Sequence, residues 1–62
     1  MTNADKFLDY VRKFPGRDDD QASQDLKIRP RQQVNQMANR LQRAGSIKRK
    51  ISPTGKLANY SA

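Results

Sequence analysis

The 62-residue chain contains no cysteine, no histidine and no tryptophan. Without cysteine and histidine it has no disulfide framework, no thiolate or imidazole metal site, and none of the Cys–His or Ser–His pairs that serve nucleophilic catalysis. A chain this short forms one small domain and leaves little room for a catalytic cleft. We therefore expect a single domain over residues 1–62 that is not an enzyme and holds neither metal nor cofactor.

Long apolar runs are a second absence. No apolar run exceeds two residues, so no segment resembles a membrane span. The N-terminal sequence MTNADKF also lacks the apolar segment of a signal peptide. We expect a cytoplasmic protein without a membrane partner.

Negative charge is missing from most of the chain. All six carboxylates are aspartates within the first 25 residues, where four basic residues leave a net charge of −2. The remaining 37 residues carry nine basic residues and no acid. Runs of charge are often only solvated surface, but nine cations without a compensating anion favour a polyanion, such as nucleic acid or anionic lipid.

Helical periodicity marks the acidic part of the chain. The segment NADKFLDYVRKF predicts a first helix at about residues 4–14, capped by Thr2 or Asn3 and stopped by the following PG pair. Its inward face would hold Phe7, Leu8, Tyr10, Val11 and Phe14. A second helix is expected at about residues 19–27, capped by one of the aspartates 18–20. A metal site in this DDD run is an alternative, but adjacent carboxylates on a cap converge poorly on one ion.

The most regular pattern follows the segment IRP. Pro30 suits the first position of a helix and Gly45 the position after its end, which predicts a third helix at about residues 30–44. The apolar residues between them recur with a period of about 3.6. The predicted inward stripe consists of Val34, Met37, Ala38, Leu41 and Ala44.

Beyond Gly45 the pattern changes to alternation. The segments SIKRKIS and KLANY flank the turn residues PTG, which predicts a β-hairpin at about residues 46–60 with one face on the core. The predicted inward residues include Ile47, Ile51, Leu57 and Tyr60, and the other face would present Lys48, Lys50 and Lys56. Three helices and a basic hairpin give a mainly α fold with a small β-hairpin, a winged helix-turn-helix.

The third helix has an unusual polar face. Residues 29–45 contain six amides and four arginines but no carboxylate, although mixed Glu–Lys pairs would stabilise a solvent-facing helix. A helix in the major groove faces phosphates that repel carboxylates, whereas Gln and Asn pair with adenine and Arg with guanine. The face therefore predicts base recognition, with a neutral solvated face as the alternative. The predicted base-reading residues are Gln32, Gln33, Asn35, Gln36 and Asn39.

Cations surround this face in the sequence. Arg29 and Arg31 lie at the start of the third helix, where free N–H groups also favour a phosphate. The predicted phosphate-binding residues are Arg29, Arg31, Arg40, Arg43, Lys48, Arg49, Lys50 and Lys56. We expect the aspartates to lie on the side away from this basic surface, and nearly all exposed residues to be cationic or amide.

From the third helix into the hairpin, Val34 is followed at fixed spacing by Ala38, Leu41, Gly45 and Ile47. This order, with DLKI before the turn, resembles winged helix-turn-helix domains of prokaryotic regulators over about residues 7–60. RQQVNQMANRL with GSI and GKLANY is similar to small prokaryotic winged-helix modules that stand alone or join larger DNA-processing proteins. A weaker resemblance to Zα domains places Arg31 and Asn35 at their Lys and Asn, but Asn39 at their Tyr, and no Trp in the wing.

These resemblances imply a function in DNA binding. The expected partner is double-stranded DNA, bound by a nucleoid-associated transcription regulator that either forms a homodimer or is attached to a larger DNA-processing protein. The same fold also serves protein contact and RNA binding, which remain alternatives because fold does not fix function. A protein-binding version should expose an apolar patch.

Overall fold

The computed structural model describes residues 2–62, which form three helices and a three-stranded antiparallel sheet. The elements are α1 (Asn3–Lys13), β1 (Arg17–Asp18), α2 (Asp19–Leu26), α3 (Arg31–Arg43), β2 (Ile47–Ile51) and β3 (Leu57–Ser61). The predicted mainly α fold with a small β-hairpin is confirmed. The sequence pattern does not predict β1, which pairs with β3 and gives the strand order β1-β3-β2. None of the helices in this part of the chain combines the length and apolarity needed to cross a membrane.

Local hydrogen bonds explain where α1 begins and ends. Thr2 is its N-cap, because the Thr2 hydroxyl accepts from the Asp5 N–H at 3.2 Å while the Asp5 carboxylate accepts from the Thr2 N–H at 3.3 Å. After the helix, Gly16 adopts a φ of +89° and donates its N–H to the Asn59 carbonyl at 2.9 Å. This turn lays β1 beside β3.

The start of α3 differs slightly from the prediction. Pro30 is the N-cap rather than the first helical residue, with an extended φ of −72° and ψ of 165°. An N-cap N–H takes no part in the helical hydrogen bonds, so the missing N–H of proline costs nothing there either. No side chain caps this helix.

The end of α3 is a Schellman motif. The Gly45 N–H donates to the Gln42 carbonyl at 3.0 Å, and the Ser46 N–H donates to the Leu41 carbonyl at 2.9 Å. Gly45 has a φ of +79°, a conformation that glycine adopts without steric cost. The predicted helix stop at Gly45 is confirmed.

One apolar core joins the helices to the start of the hairpin. It consists of Phe7, Tyr10, Val11, Ala22, Ile28, Val34, Ala38 and Ile47, with Leu8, Leu26, Met37 and Leu41 packed against it. Two residues predicted to face inward, Phe14 and Ala44, are exposed instead. Each is the C-cap of its helix. Phe14 has left the helical path, with φ −130° and ψ 71°, whereas Ala44 keeps a helical backbone at the last position before the turn to β2.

Burial changes sharply along the wing, which comprises β2, β3 and their turn. The pairing runs from Ile47 opposite Ser61 to Ile51 opposite Leu57. Ile47 is 2% exposed but Ile51 is 76% exposed, because a strand rises about 3.3 Å per residue and carries Ile51 beyond the helices. The predicted inward face is therefore wrong at Ile51, and also at Leu57 and Tyr60, which are both exposed.

The two ends of the wing have different surroundings. The wing base comprises residues 47–49 and their partners 59–61, and the wing tip comprises residues 51–57. In β3 the buried residues are Ala58 and Asn59. The wing base thus packs on the helices, while the wing tip projects into solvent.

Candidate nucleic-acid interface

Part of the exposed surface of α3 forms no side-chain hydrogen bond or ion pair within residues 2–62. Its exposed side chains are Gln32, Gln33, Gln36, Arg40 and Arg43. No side-chain hydrogen bond or ion pair among residues 2–62 involves any of them. The 13 residues of α3 span about 20 Å, and a B-DNA major groove about 12 Å wide admits such a helix. These side chains are available to an external partner. They are named the outward stripe.

Two predicted base-reading residues already have partners inside the protein. The Asn35 Nδ2 donates to the Asp19 carboxylate at 3.0 Å. The Asn39 Nδ2 donates to the Asn35 Oδ1 at 3.4 Å, and the Asn39 Oδ1 accepts from the Arg49 Nη1 at 2.5 Å. The two asparagines therefore connect α3 to α2 and to the wing, unlike the outward stripe.

Arg49 is buried, which contradicts its predicted contact with phosphate. Its side chain is 1% exposed and forms an ion pair with Asp19 at the start of α2. The cause is strand alternation, since Arg49 lies two residues after Ile47 and points to the same side of β2. Arg49 instead holds the wing base against α2 and α3.

β3 contributes Asn59 to this buried polar cluster. The Asn59 Nδ2 donates to the other oxygen of Asp19 at 2.9 Å and to the Arg17 carbonyl at 3.1 Å. Asp19 thus accepts hydrogen bonds from Arg49, Asn35 and Asn59. Removing one partner of a buried ion pair is strongly destabilising, so the cluster fixes the geometry between α3 and the wing.

Two exposed cations of β2, Lys48 and Lys50, alternate with Arg49 and lie on the opposite side of the strand. Lys48 and Lys50 are exposed and form no ion pair among residues 2–62. The Lys50 ammonium lies 5.7 Å from the centroid of the Tyr60 ring, within range of a cation–π contact. Arg29, before α3, is likewise exposed. The interface cations are Arg29, Arg40, Arg43, Lys48 and Lys50.

Two other predicted phosphate-binding residues are engaged by Asp20. The Arg31 Nη1 lies 2.8 Å from one oxygen of Asp20, and the Lys56 Nζ lies 3.2 Å from the other. A hydrogen bond from Arg31, which has the larger effect, and one from Lys56 hold the pKa of the Asp20 carboxyl below its ordinary value. The prediction that the aspartates lie away from the basic surface is therefore wrong.

The three carboxylates of the DDD run make different contacts. Asp18 is the N-cap of α2 and accepts from the Gln21 N–H at 2.8 Å, while its other oxygen lies 4.0 Å from the Lys56 Nζ. Asp19 faces the buried cluster, whereas Asp20 faces Arg31 and Lys56. Among residues 2–62 no three potential metal ligands come together.

Sequence reasoning missed Asp19, Asp20 and Asn59. One signal was present for the first of these, because Arg49 occupies an inward position of the alternating strand and a buried guanidinium needs a counterion. Every carboxylate lies in the first 25 residues, so the counterion had to come from there. No comparable signal identifies Asn59.

Comparisons with known proteins leave these assignments to the geometry alone. No protein-family model, no curated protein and no solved structure matches the chain.

Proposed function

We propose that this protein is a double-stranded DNA-binding module. Its α3 would enter the major groove, and the wing would follow the adjacent backbone. The observation that carries this proposal is the outward stripe, an exposed helix face of amides and arginines without a carboxylate, and the wing adds the exposed cations Lys48 and Lys50. A net charge of +7 adds long-range attraction to a polyanion.

The proposal divides the interface between base reading and phosphate binding. Gln32, Gln33 and Gln36 would read base edges, because an amide can pair with adenine through one donor and one acceptor. The interface cations would bind phosphates, which gives affinity without sequence information. Asn35 and Asn39 are reassigned to holding α3 on its neighbours, since both carboxamide groups are already hydrogen bonded.

Such a module would serve a transcription regulator or a larger DNA-processing system. It would act in the cytoplasm, on the nucleoid. Pairing as a homodimer would extend the site it reads, because one recognition helix contacts only a few base pairs. The proposal includes no catalytic step.

A titration with a short random-sequence duplex tests the proposal. Amide chemical shifts should move along α3 and at Lys48 and Lys50, and should stay unchanged on the exposed side of α1. About five phosphate contacts predict a slope of log K against log salt of roughly −4 to −5. No duplex binding at low salt would contradict the proposal.

Lys50→Ala sharpens the test of the wing. The variant should weaken binding to every duplex and make the salt slope shallower by about one unit, because one phosphate contact is lost. Lys13→Ala is the matched control, since Lys13 is an exposed cation of α1 outside the proposed interface. If the two variants bind alike, the wing does not contact DNA.

Protein contact is a second candidate, favoured by one observation. Ile51 and Leu57 lie opposite each other at the wing tip and are both exposed, so the expectation that exposed residues are almost all cationic or amide is wrong here. Under this candidate the outward stripe would not respond to duplex DNA.

RNA binding is the remaining alternative. A parallel titration with duplex RNA tests it, because the deep, narrow major groove of A-form RNA excludes α3.

A further inference from the structure

Asp20 joins two segments that are far apart in the sequence. Its carboxylate receives Arg31, the first residue of α3, and Lys56, at the end of the wing tip. The three side chains line one open cleft between α2, α3 and the wing. All three are partly exposed, with 33% of the Asp20 side chain and 54% of the Lys56 side chain accessible. The arrangement is therefore an anion held by two cations at a surface that solvent reaches.

The start of α3 adds to the attraction for an anion at this place. No side chain caps α3, so its first N–H groups keep their positive potential. Arg31 is the first residue of that helix and donates from its guanidinium to Asp20, although its side chain is 64% exposed. Asp20 thus stands where a polyanion would be strongly attracted, and Asp18 also approaches this place, with its carboxylate 4.0 Å from the Lys56 Nζ.

We propose that Arg31 and Lys56 form a phosphate-binding site that Asp20 occupies in the free protein, and that a backbone phosphate of duplex DNA displaces Asp20 on binding. The inference rests on the proposed DNA-binding function and adds a competition within it. A carboxylate and a phosphodiester each offer two oxygens to an arginine fork and an ammonium group. Both anions cannot share the site without repulsion, so one replaces the other.

Displacing Asp20 costs little free energy, because its ion pairs with Arg31 and Lys56 are exposed. Exposed pairs contribute little in water, and two of them correspond to about a 3- to 10-fold change in affinity. Asp20 therefore lowers affinity for every duplex without preventing binding. It also neutralises two cations in advance, so fewer counterions are released when DNA binds.

Asp20→Asn tests the exchange. The variant should bind a random-sequence duplex about 3- to 10-fold more tightly than the wild type at low salt. The slope of log K against log salt should become steeper by about one to two units, because Arg31 then meets DNA unpaired and Lys56 keeps only its 4.0 Å contact with Asp18. A thermal melt confirms that the variant is folded under the conditions of the titration.

Asp9→Asn is the charge-matched control. Asp9 lies exposed on α1 and forms no ion pair among residues 2–62, so this variant makes the same change in net charge away from the site. Equal effects of the two variants would overturn the proposal and leave only a net-charge effect. Weaker binding by Asp20→Asn would also overturn it, because Asp20 would then organise the site for DNA.

A double variant tests whether the effect of Asp20 acts through Arg31 and Lys56. In an Arg31→Ala, Lys56→Ala double variant, adding Asp20→Asn should change affinity no more than adding Asp9→Asn. A persisting difference would place the effect of Asp20 elsewhere and contradict the proposal. If the wild type binds no duplex at all, the proposed function fails, whereas duplex binding that ignores Asp20 refutes only this exchange.

Discussion

The wing base and the wing tip belong to one hairpin but have opposite environments. At the base, Ile47 joins the apolar core and Arg49 is buried against Asp19. At the tip, Ile51 is exposed and Lys56 reaches Asp20 at the surface. The contrast teaches that one strand can anchor a fold at one end and offer contacts at the other. Stability should therefore depend on the buried side chains of the base, and the proposed binding by the wing on its exposed cations.

The largest expected effect concerns the buried pair at the wing base. Arg49→Met should lower the free energy of unfolding by about 3–5 kcal/mol, because it leaves the Asp19 carboxylate buried without its guanidinium. Urea denaturation measures the loss. Lys50→Met, one residue along the same strand but exposed, should stay within about 0.5 kcal/mol of the wild type.

A double variant separates charge from packing in this pair. Adding Asp19→Asn to Arg49→Met removes the unpaired charge and should restore part of the lost stability. Wild-type stability in the Arg49→Met single variant would show that the wing base does not depend on the ion pair. The comparison between base and tip would then fail.

Two isoleucines at opposite ends of β2 provide a smaller test. Ile47→Ala should cost about 2–5 kcal/mol because it opens a cavity in the core, whereas Ile51→Ala should change stability by less than about 0.5 kcal/mol. Both variants remove the same atoms from the same strand, so each controls for the other in a denaturation experiment. Equal losses would mean that the tip packs on the helices after all.

The smallest effect concerns the pH dependence of the contact between Asp20 and the tip. Because Arg31 and Lys56 lower the pKa of Asp20, the folded protein binds this proton less tightly than the unfolded chain does. The ion pairs therefore add stability above the ordinary carboxyl range, near pH 4, and lose it as the pH falls through the lowered pKa. The difference in urea midpoint between wild type and Asp20→Asn should be present at neutral pH and vanish as the pH falls through the lowered pKa of Asp20. A difference that does not depend on pH would assign it to something other than the carboxylate.

The helices could be predicted because their boundaries depend on nearby residues. The hydroxyl of Thr2, the fixed φ of Pro30 and the positive φ of Gly45 each act within a few residues of the helix ends they define. Predicted and observed boundaries of α1 and α3 accordingly differ by one residue at each end. Local chemistry was sufficient for these elements.

The environment of the wing and of the DDD run could not be predicted in the same way. Whether Ile51 is buried depends on how far the helices extend beneath the hairpin, and alternation carries no such information. Asp19 and Arg49 are 30 residues apart, and Asp20 and Lys56 are 36 apart. Such pairings follow from the folded topology. The sequence therefore correctly predicted that the outward stripe is exposed, but it did not predict which cations are already paired.

The isolation of the outward stripe bears on how this protein can change. Gln32, Gln33 and Gln36 contact no other side chain through hydrogen bonds in residues 2–62, while Val34 and Ala38 on the same helix carry the packing. Substitutions at the three glutamines therefore leave the fold nearly untouched, and the surface that α3 presents can diverge independently of the scaffold. A library varied at these positions alone would change the exposed surface of α3 while most of its members keep the fold.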